Sequence, residues 1–415
     1  MEPATRPAPR NAAIAFIFIT VALDMLAMGM IVPVLPKLVV DFAAGDTSRG
    51  AEIFGLFGTV WALMQFVSSP LLGALSDRFG RRPVILLSNF GLGLDYVLMA
   101  LAPNLSWLFV GRVLSGITSA SVATAGAYIA DVAPPEKRAA GFGMMGAAFG
   151  VGFVLGPALG GVLGGVDARL PFWVAAAFSL LNASYGLFVL PESLPPERRD
   201  RFEWRRANPL GSLILLRNHR LLLGLAAVSL IANLAHYALP STFVLYASYR
   251  YHWDERAVGL TLAGVGVCSA IVQAGMVRSV VARIGEAHAL LAGLFFGGLG
   301  FAVYGFAPTG ALFLIGVPVM SLWGLAGPAA QGLMTRAVPP TEQGRLQGAL
   351  SSLMGIAGLL GPGLFTQAFA RAISHGRGWE LPGAPFLLSA LLMVLALGLA
   401  WRVTLSHARS SIERA

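Results

Sequence analysis

Charge is what this sequence has least of: Asp, Glu, Lys and Arg together make up 12% of 415 residues, about half the share of an ordinary soluble domain. A chain this poor in charge and 56% hydrophobic has too little polar surface to clothe a soluble core, so its length counts membrane spans rather than soluble domains. Cysteine is nearly absent. The single Cys268 lies in an apolar segment, which excludes a disulfide framework. The six histidines are scattered, with no His-x-x-x-His pair in a polar setting. With no large soluble stretch either, this argues against a membrane enzyme, and no metal or cofactor is expected. Lys and Arg exceed Asp and Glu by 29 to 20, but no basic run interleaved with aromatics marks a nucleic-acid surface.

What is present is a series of apolar segments near 12–37, 51–75, 84–102, 105–132, 140–166, 171–190, 221–248, 257–281, 287–306, 310–335, 346–370 and 383–401. They predict an all-α membrane protein of twelve transmembrane helices. The short basic start followed by a long apolar run, with no small-residue cleavage site, reads as a retained first helix. With the N-terminus inside, 21 of the 29 basic residues fall on the inside segments and seven on the outside ones. That excess places both termini in the cytoplasm.

The longest polar insertion, 191–220, contains Pro-Pro, Glu-Arg-Arg-Asp-Arg and Trp-Arg-Arg. It reads as a cytoplasmic linker between an N-terminal six-helix bundle, 1–190, and a C-terminal one, 221–415. The stretch Arg201–Leu216 is either a surface helix against anionic lipid or a plain solvated connector. The halves repeat. Pro134-Pro135 and Gly156-Pro157 recur as Pro339-Pro340 and Gly361-Pro362, 205 residues on, and the same offset carries Arg78 and Gly80 to Arg283 and Gly285. Shared spacing of this kind argues for duplication, and two parallel six-helix repeats are an arrangement in which a central site lies between rocking halves.

The inside turn GALSDRFGRRP, residues 73–83, carries more than the positive charge a loop needs. Gly73 allows a close helix neighbour. Gly80 permits positive φ, and Pro83 suits the first turn of the next helix. Asp77 either faces helix N-termini or pairs with Arg81. Asp131, at the end of helix 4, is also within reach of Arg81. An Asp77–Arg81–Asp131 cluster would latch the cytoplasmic side when the cavity faces out, or would simply tidy helix ends.

Few ionisable side chains lie deep in the spans. Asp24, Asp95 and Arg112 are the clear cases, and each costs several kcal/mol at the bilayer centre unless paired or hydrated. Asp24, mid-span in helix 1, is a proton carrier or a partner for an arginine. Asp95 binds a cationic group or a proton, or hydrogen-bonds its neighbours. Arg112 can hold a carboxylate ionised until the protein moves. Helix 5 carries Gly146, Gly150, Gly152, Gly156-Pro157 and Gly160-Gly161, a smooth face with a kink point. Asn233, His236, Tyr237, Gln273 and Gln331 are polar residues in otherwise apolar helices and are candidate substrate-binding groups.

The order G-x-L-x-D-R-x-G-R-R at 73–82 resembles the loop between helices two and three of the major facilitator superfamily. Thr20-Val-Ala-Leu-Asp24, Pro33-Val-Leu-Pro36, Asp95-Tyr96 and GRVLSGIT at 111–118 narrow the resemblance to the bacterial tetracycline/proton antiporters. Ile129-Ala-Asp131 and GFVLGPALGG at 152–161 point the same way, the last being similar to the motif that marks antiporters. The resemblance implies the two-bundle facilitator fold and a proton-coupled secondary transporter that exports small amphipathic compounds by alternating access. It implies coupling roles for Asp24, Asp95 and Arg112, while the residues themselves point to gating roles for Asp77, Arg81, Asp131, Gly156 and Pro157. The implied partners are a small-molecule substrate, protons and the lipid bilayer, with a functional monomer in the bacterial inner membrane. Two positions depart from the family: Cys268 stands where it has a helix 8 histidine, and its helix 9 aspartate falls near Gly297, in Phe295-Phe-Gly-Gly298, with no acid close by. A symporter or exchanger of one metabolite or organic anion is the alternative on the same scaffold. A non-transporting receptor or scaffold is the alternative of another class.

Overall fold

The computed structural model describes residues 10–119, 121–133, 138–199, 213–217, 220–339, 342–374 and 380–412. Pro134, Pro135, Pro340 and residues 200–212 lie outside that set, so the surface helix expected over Arg201–Leu216 is for most of its length outside the described residues.

Every regular element among the described residues is a helix. In order, the helices are α1 (Arg10–Ile31), α2 (Leu35–Phe42), α3 (Thr47–Phe79), α4 (Arg81–Leu101), α5 (Leu105–Thr118), α6 (Ser121–Val132), α7 (Arg138–Gly164) and α8 (Leu170–Val189). They continue with the short α9 (Ile214–Arg217), then α10 (Arg220–His236), α11 (Ala238–Tyr251), α12 (Glu255–Ala270), α13 (Val277–Phe306), α14 (Gly310–Ser321), α15 (Ala326–Arg336), α16 (Gln343–Ile373) and α17 (Ala384–Ile412). Among the described residues, ten segments are long and apolar enough to cross a membrane. One of them, Glu255–Phe306, runs to 52 residues and breaks at Gly285, whose φ of 77° and ψ of 164° no helix accommodates. The remaining crossing is α5 with α6, so the helices agree with twelve passes.

Several expected spans are not single helices. The first breaks over 32–34, where Pro33 has no N–H to give and Val32 and Val34 bond back only three residues, to Gly29 and Ile31. Helix starts are capped where the sequence supplies an acceptor. Asn104 Oδ1 accepts from the N–H groups of Ser106 and Trp107 at 3.1 and 3.3 Å, and Thr309 Oγ1 accepts from Leu312.

The chain divides into two compact units. Unit 1 comprises Met1–Leu35, Leu63–Asn208 and Glu255–Ala263, and unit 2 comprises Pro36–Ala62, Pro209–Asp254 and Gly264–Ala415. Within unit 1, α1 packs on α7 and α8, and α4 packs on α5, α6 and α8. Within unit 2, α13 packs on α14, α15 and α17, while α16 and α17 flank α10. Tyr246, Tyr304, Phe313 and Phe386 form an aromatic core there, Tyr304 and Phe313 stacking at 4.1 Å between centroids.

Lipid is as apolar as a leucine side chain, so close helix contact in a membrane rests on small residues. The glycines of α7 divide accordingly. A Cβ at Gly156 would lie 2.8 Å from Gly29 Cα, and one at Gly152 would strike Met25, so α1 lies directly on this face. Gly161 meets Gly259 of α12 instead, 2.9 Å separating a would-be Cβ from its Cα. Among the described residues, Gly146 and Gly150 face open space, and so does Gly73, where the sequence predicts a close neighbour.

Candidate functional site

The buried polar groups of unit 1 form a seam across four helices. Asp24 on α1 is 4% exposed and Asp95 on α4 is 1% exposed. Asn182 on α8 reaches across to α1, its Nδ2 donating to Asp24 Oδ1 at 3.1 Å and to the Thr20 carbonyl at 3.2 Å. Half-buried Arg112 on α5 is the positive charge that faces Asp95, with Ser115 one turn further along α5 beside the same carboxylate. Tyr96 lies within electrostatic reach of Asp24, Asp95 and Arg112 together. Gly111 makes this possible, since a Cβ there would lie 3.0 Å from Asp95 Oδ1. The seam thus holds two carboxylates, one guanidinium, a phenol and an amide in a low-dielectric setting. Proton loading and unloading can alter charge pairing in such a place most strongly.

The second cluster lies at the α3–α4 turn. Gly80 has φ of 104°, and Arg81 pairs with Asp77 one turn back. Arg81 Nε sits 3.1 Å from Asp131 Oδ2 at the end of α6, while its Nη1 donates to Ser76 Oγ at 2.6 Å. The segment after α8 completes the cluster. Glu192 Oε1 accepts from the backbone N–H of Arg81 at 2.8 Å, and from those of Ser193 and Leu194 at 3.0 Å each. Ser193 Oγ donates to Asp131 Oδ2 at 3.2 Å. Gly80 offers α4 no side-chain cap, so a carboxylate 111 positions away supplies it.

In unit 2, His236, the last residue of α10, stacks on Trp323 with ring centroids 4.3 Å apart and planes 11° apart. Trp323 belongs to a 3-10 turn, Leu322–Leu325, between α14 and α15. Its indole fills the space over Gly297, where a Cβ would lie 2.8 Å from Trp323 Cδ1. Tyr237 packs on the glycines of α16, its hydroxyl 2.7 Å from where a Cβ of Gly358 would be. Gln273 lies in a π-helical turn, Ile271–Met276.

The structure therefore brings Asp24, Asp95 and Arg112 into one seam, and Asp77, Arg81 and Asp131 into one cluster. Gly156 and Pro157 lie against Gly29. The polar residues of the second half do not all converge. Asn233 donates to Ser229 O at 2.7 Å in its own helix, and Gln331 stands exposed on α15. Sequence reasoning passed over Asn182, Glu192 and Trp323. Asn182 carried a usable signal, an amide between Leu181 and Ala183 in an apolar helix. Glu192 and Trp323 carried none, because their partners are remote in the chain.

Two helical bundles that cross a bilayer, one enclosing acids and an arginine, define a membrane carrier. This chain belongs to the Major Facilitator Superfamily, whose family signature matches residues 17–362. It is 38% identical over 379 residues to the class C tetracycline resistance protein of Escherichia coli, covering 91% of this chain and 95% of that protein. It is 35% identical over 373 residues to the class G tetracycline resistance protein of Vibrio anguillarum, covering 89% and 93%. Among solved structures, the human organic anion transporter MFSD10 matches with a TM-score of 0.69 at 24% identity, over 95% of this chain and all of that one. The nucleoside transporter NupG matches with a TM-score of 0.76 at 14% identity, over 94% and 99%. These two likenesses show the fold. The chain is a multi-pass membrane transporter of small molecules, not an enzyme.

Proposed function

We propose that this transporter is a proton-driven exporter of small amphipathic compounds, tetracycline-like drugs among them, working by alternating access in the bacterial inner membrane. The observation that carries the reading is the seam in which Asn182 holds Asp24 while Arg112 faces Asp95. A buried acid is a proton site when its surroundings favour the charged and neutral forms in different conformations, and a neighbouring guanidinium that changes distance supplies that difference. Cargo and proton must favour opposite states, since equal affinity for both would shift nothing. The relatives named for tetracycline resistance support the cargo class.

The working unit is a monomer with both termini in the cytoplasm, its halves 1–190 and 221–415 joined by the inside segment 191–220. The Asp77–Arg81–Asp131 cluster serves as the cytoplasmic latch, and the Gly156–Pro157 contact with α1 is the flexible point of α7. His236, Tyr237 and Gln273 contribute to cargo binding, with Asn233 and Gln331 at its margin. Arg112 favours one second reading, exchange of an organic anion by the same carrier.

The test is uptake of tetracycline into proteoliposomes under an imposed pH gradient, native chain against Asp24→Asn. Gradient-driven accumulation that Asp24→Asn abolishes is the expected result. Absence of accumulation, beside a working control carrier, removes the drug reading. Accumulation of an organic anion in its place establishes the second.

A further inference from the structure

Three departures from regular α-helix meet at one place in unit 2. α10 stops at His236 and α11 restarts at Ala238. The 3-10 turn Leu322–Leu325 interrupts the path from α14 to α15, and the π turn Ile271–Met276 follows α12. The stack of His236 on Trp323 joins the first two. Gly324 joins the second to the third, since a Cβ there would lie 3.5 Å from Gln273 Cγ and 3.4 Å from Val272 Cγ1. Irregular backbone at membrane depth is tolerated where it is enclosed by protein or lines a cavity, and broken helices are where carriers place their cargo sites. π turns inside α-helices are frequent at functional sites for the same reason.

Formal charge is missing from this place. The three turns contain no Asp, Glu, Lys or Arg. Every described Asp and Glu of unit 2 stands in a turn, at the Gly285 break or within two turns of a helix end. Gly297 brings no carboxylate, and the indole of Trp323 occupies its space. What the turns offer is an imidazole, an indole N–H, the phenol of Tyr237, which packs on α16, and the exposed amide of Gln273. The His236 Nδ1 and Trp323 Nε1 atoms are buried and have no protein hydrogen-bond partner among the described residues. Native proteins seldom keep such groups without a use. An ionised cargo group would lose its hydration here and gain no counter-charge. A flat ring with polar edges would gain aromatic contact and hydrogen bonds.

We propose that the three turns form the cargo subsite of unit 2, which accepts an uncharged, planar, hydrogen-bonding ring system, with Trp323 as its specificity-determining residue. Charge handling is thereby confined to the Asp24–Asp95–Arg112 seam of unit 1, and ring recognition to unit 2. This deepens the exporter reading and rests on it.

Equilibrium binding of radiolabelled tetracycline to the purified full chain tests it, comparing native protein with Trp323→Phe and Gln273→Leu. Trp323→Phe keeps a ring on His236 and removes only the indole N–H and the larger face. The expected result is a Kd about tenfold weaker in Trp323→Phe, the loss of one buried hydrogen bond. Should that variant fail to fold, Gln273→Leu, on an exposed position, carries the comparison. Native affinity in both variants overturns the proposal. A native chain that does not bind tetracycline overturns the drug reading, and the subsite is then judged by thermal shift with coumarin and with tetraphenylphosphonium. Stabilisation by coumarin that Trp323→Phe abolishes sustains it. Stabilisation by tetraphenylphosphonium alone, or shifts that are equal in native chain and Trp323→Phe, overturns it.

Discussion

Glu286 Oε1 lies 3.0 Å from Arg336 Nη2 in unit 2, at the positions 205 residues beyond Arg81 and Asp131, whose pair measures 3.1 Å in unit 1. A glycine of positive φ precedes the first member of each pair, Gly80 at 104° and Gly285 at 77°. The two braces share geometry and differ in polarity, base-to-acid in one and acid-to-base in the other. Arg336 is 78% exposed, so its pair contributes little on its own. Thermal unfolding in detergent should show Glu286→Arg and Arg336→Glu each lowering Tm by about 1–3 °C, with the double exchange restoring it. A double exchange no better than either single change would mean that the pair contributes nothing.

Glu192 caps α4 from outside the helix, taking three backbone N–H groups on one oxygen. Glu192→Ala should cost about 1–3 kcal/mol, while Glu192→Gln, which keeps an acceptor, should cost less. Gly80→Ala should behave like Glu192→Ala, because its φ of 104° is strained for a side chain and its Cβ would strike the Glu192 carboxylate. Tm and the yield of monodisperse protein report both.

Asn182 is the donor that holds Asp24, at 3.1 Å in a buried seam. Leucine at 182 would leave that carboxylate oxygen without this donor. Gradient-driven uptake by Asn182→Leu should fall roughly 10- to 100-fold, as expected for a hydrogen bond to an ionisable group. Uptake within twofold of native would remove Asn182 from the coupling machinery.

The glycines of α7 make opposite predictions at two positions. Gly156→Ala places a Cβ 2.8 Å from Gly29 Cα, backbone that cannot turn aside, so about 1–3 kcal/mol should be lost. At Gly146 nothing lies within 4 Å. Alanine there should be neutral or stabilising by about 0.5–1 kcal/mol through helix propensity. Equal Tm values for the two variants would contradict the packing described for α1 and α7.

Much of this protein is legible without coordinates. Scarcity of charge and runs of apolar residues dictate membrane helices, because an unsatisfied backbone in lipid has no other resort. The rarity of acids in those runs singles out Asp24 and Asp95, and the chemistry of the 73–83 turn singles out Asp77 and Arg81. Those signals are local: each depends on what one residue costs in its own segment. Tertiary structure alone decided which costs are shared. Asn182 meets Asp24 across 158 residues, Glu192 caps a helix 111 residues before it, and Trp323 covers the glycine where an acid was expected. Only packing settled that Gly156 touches α1, that Gly161 touches α12 and that a side chain at Gly146 would meet nothing within 4 Å among the described residues. A glycine reads the same in sequence whichever way its helix turns, and a hydrogen bond between distant helices leaves no mark in either until the chain has folded.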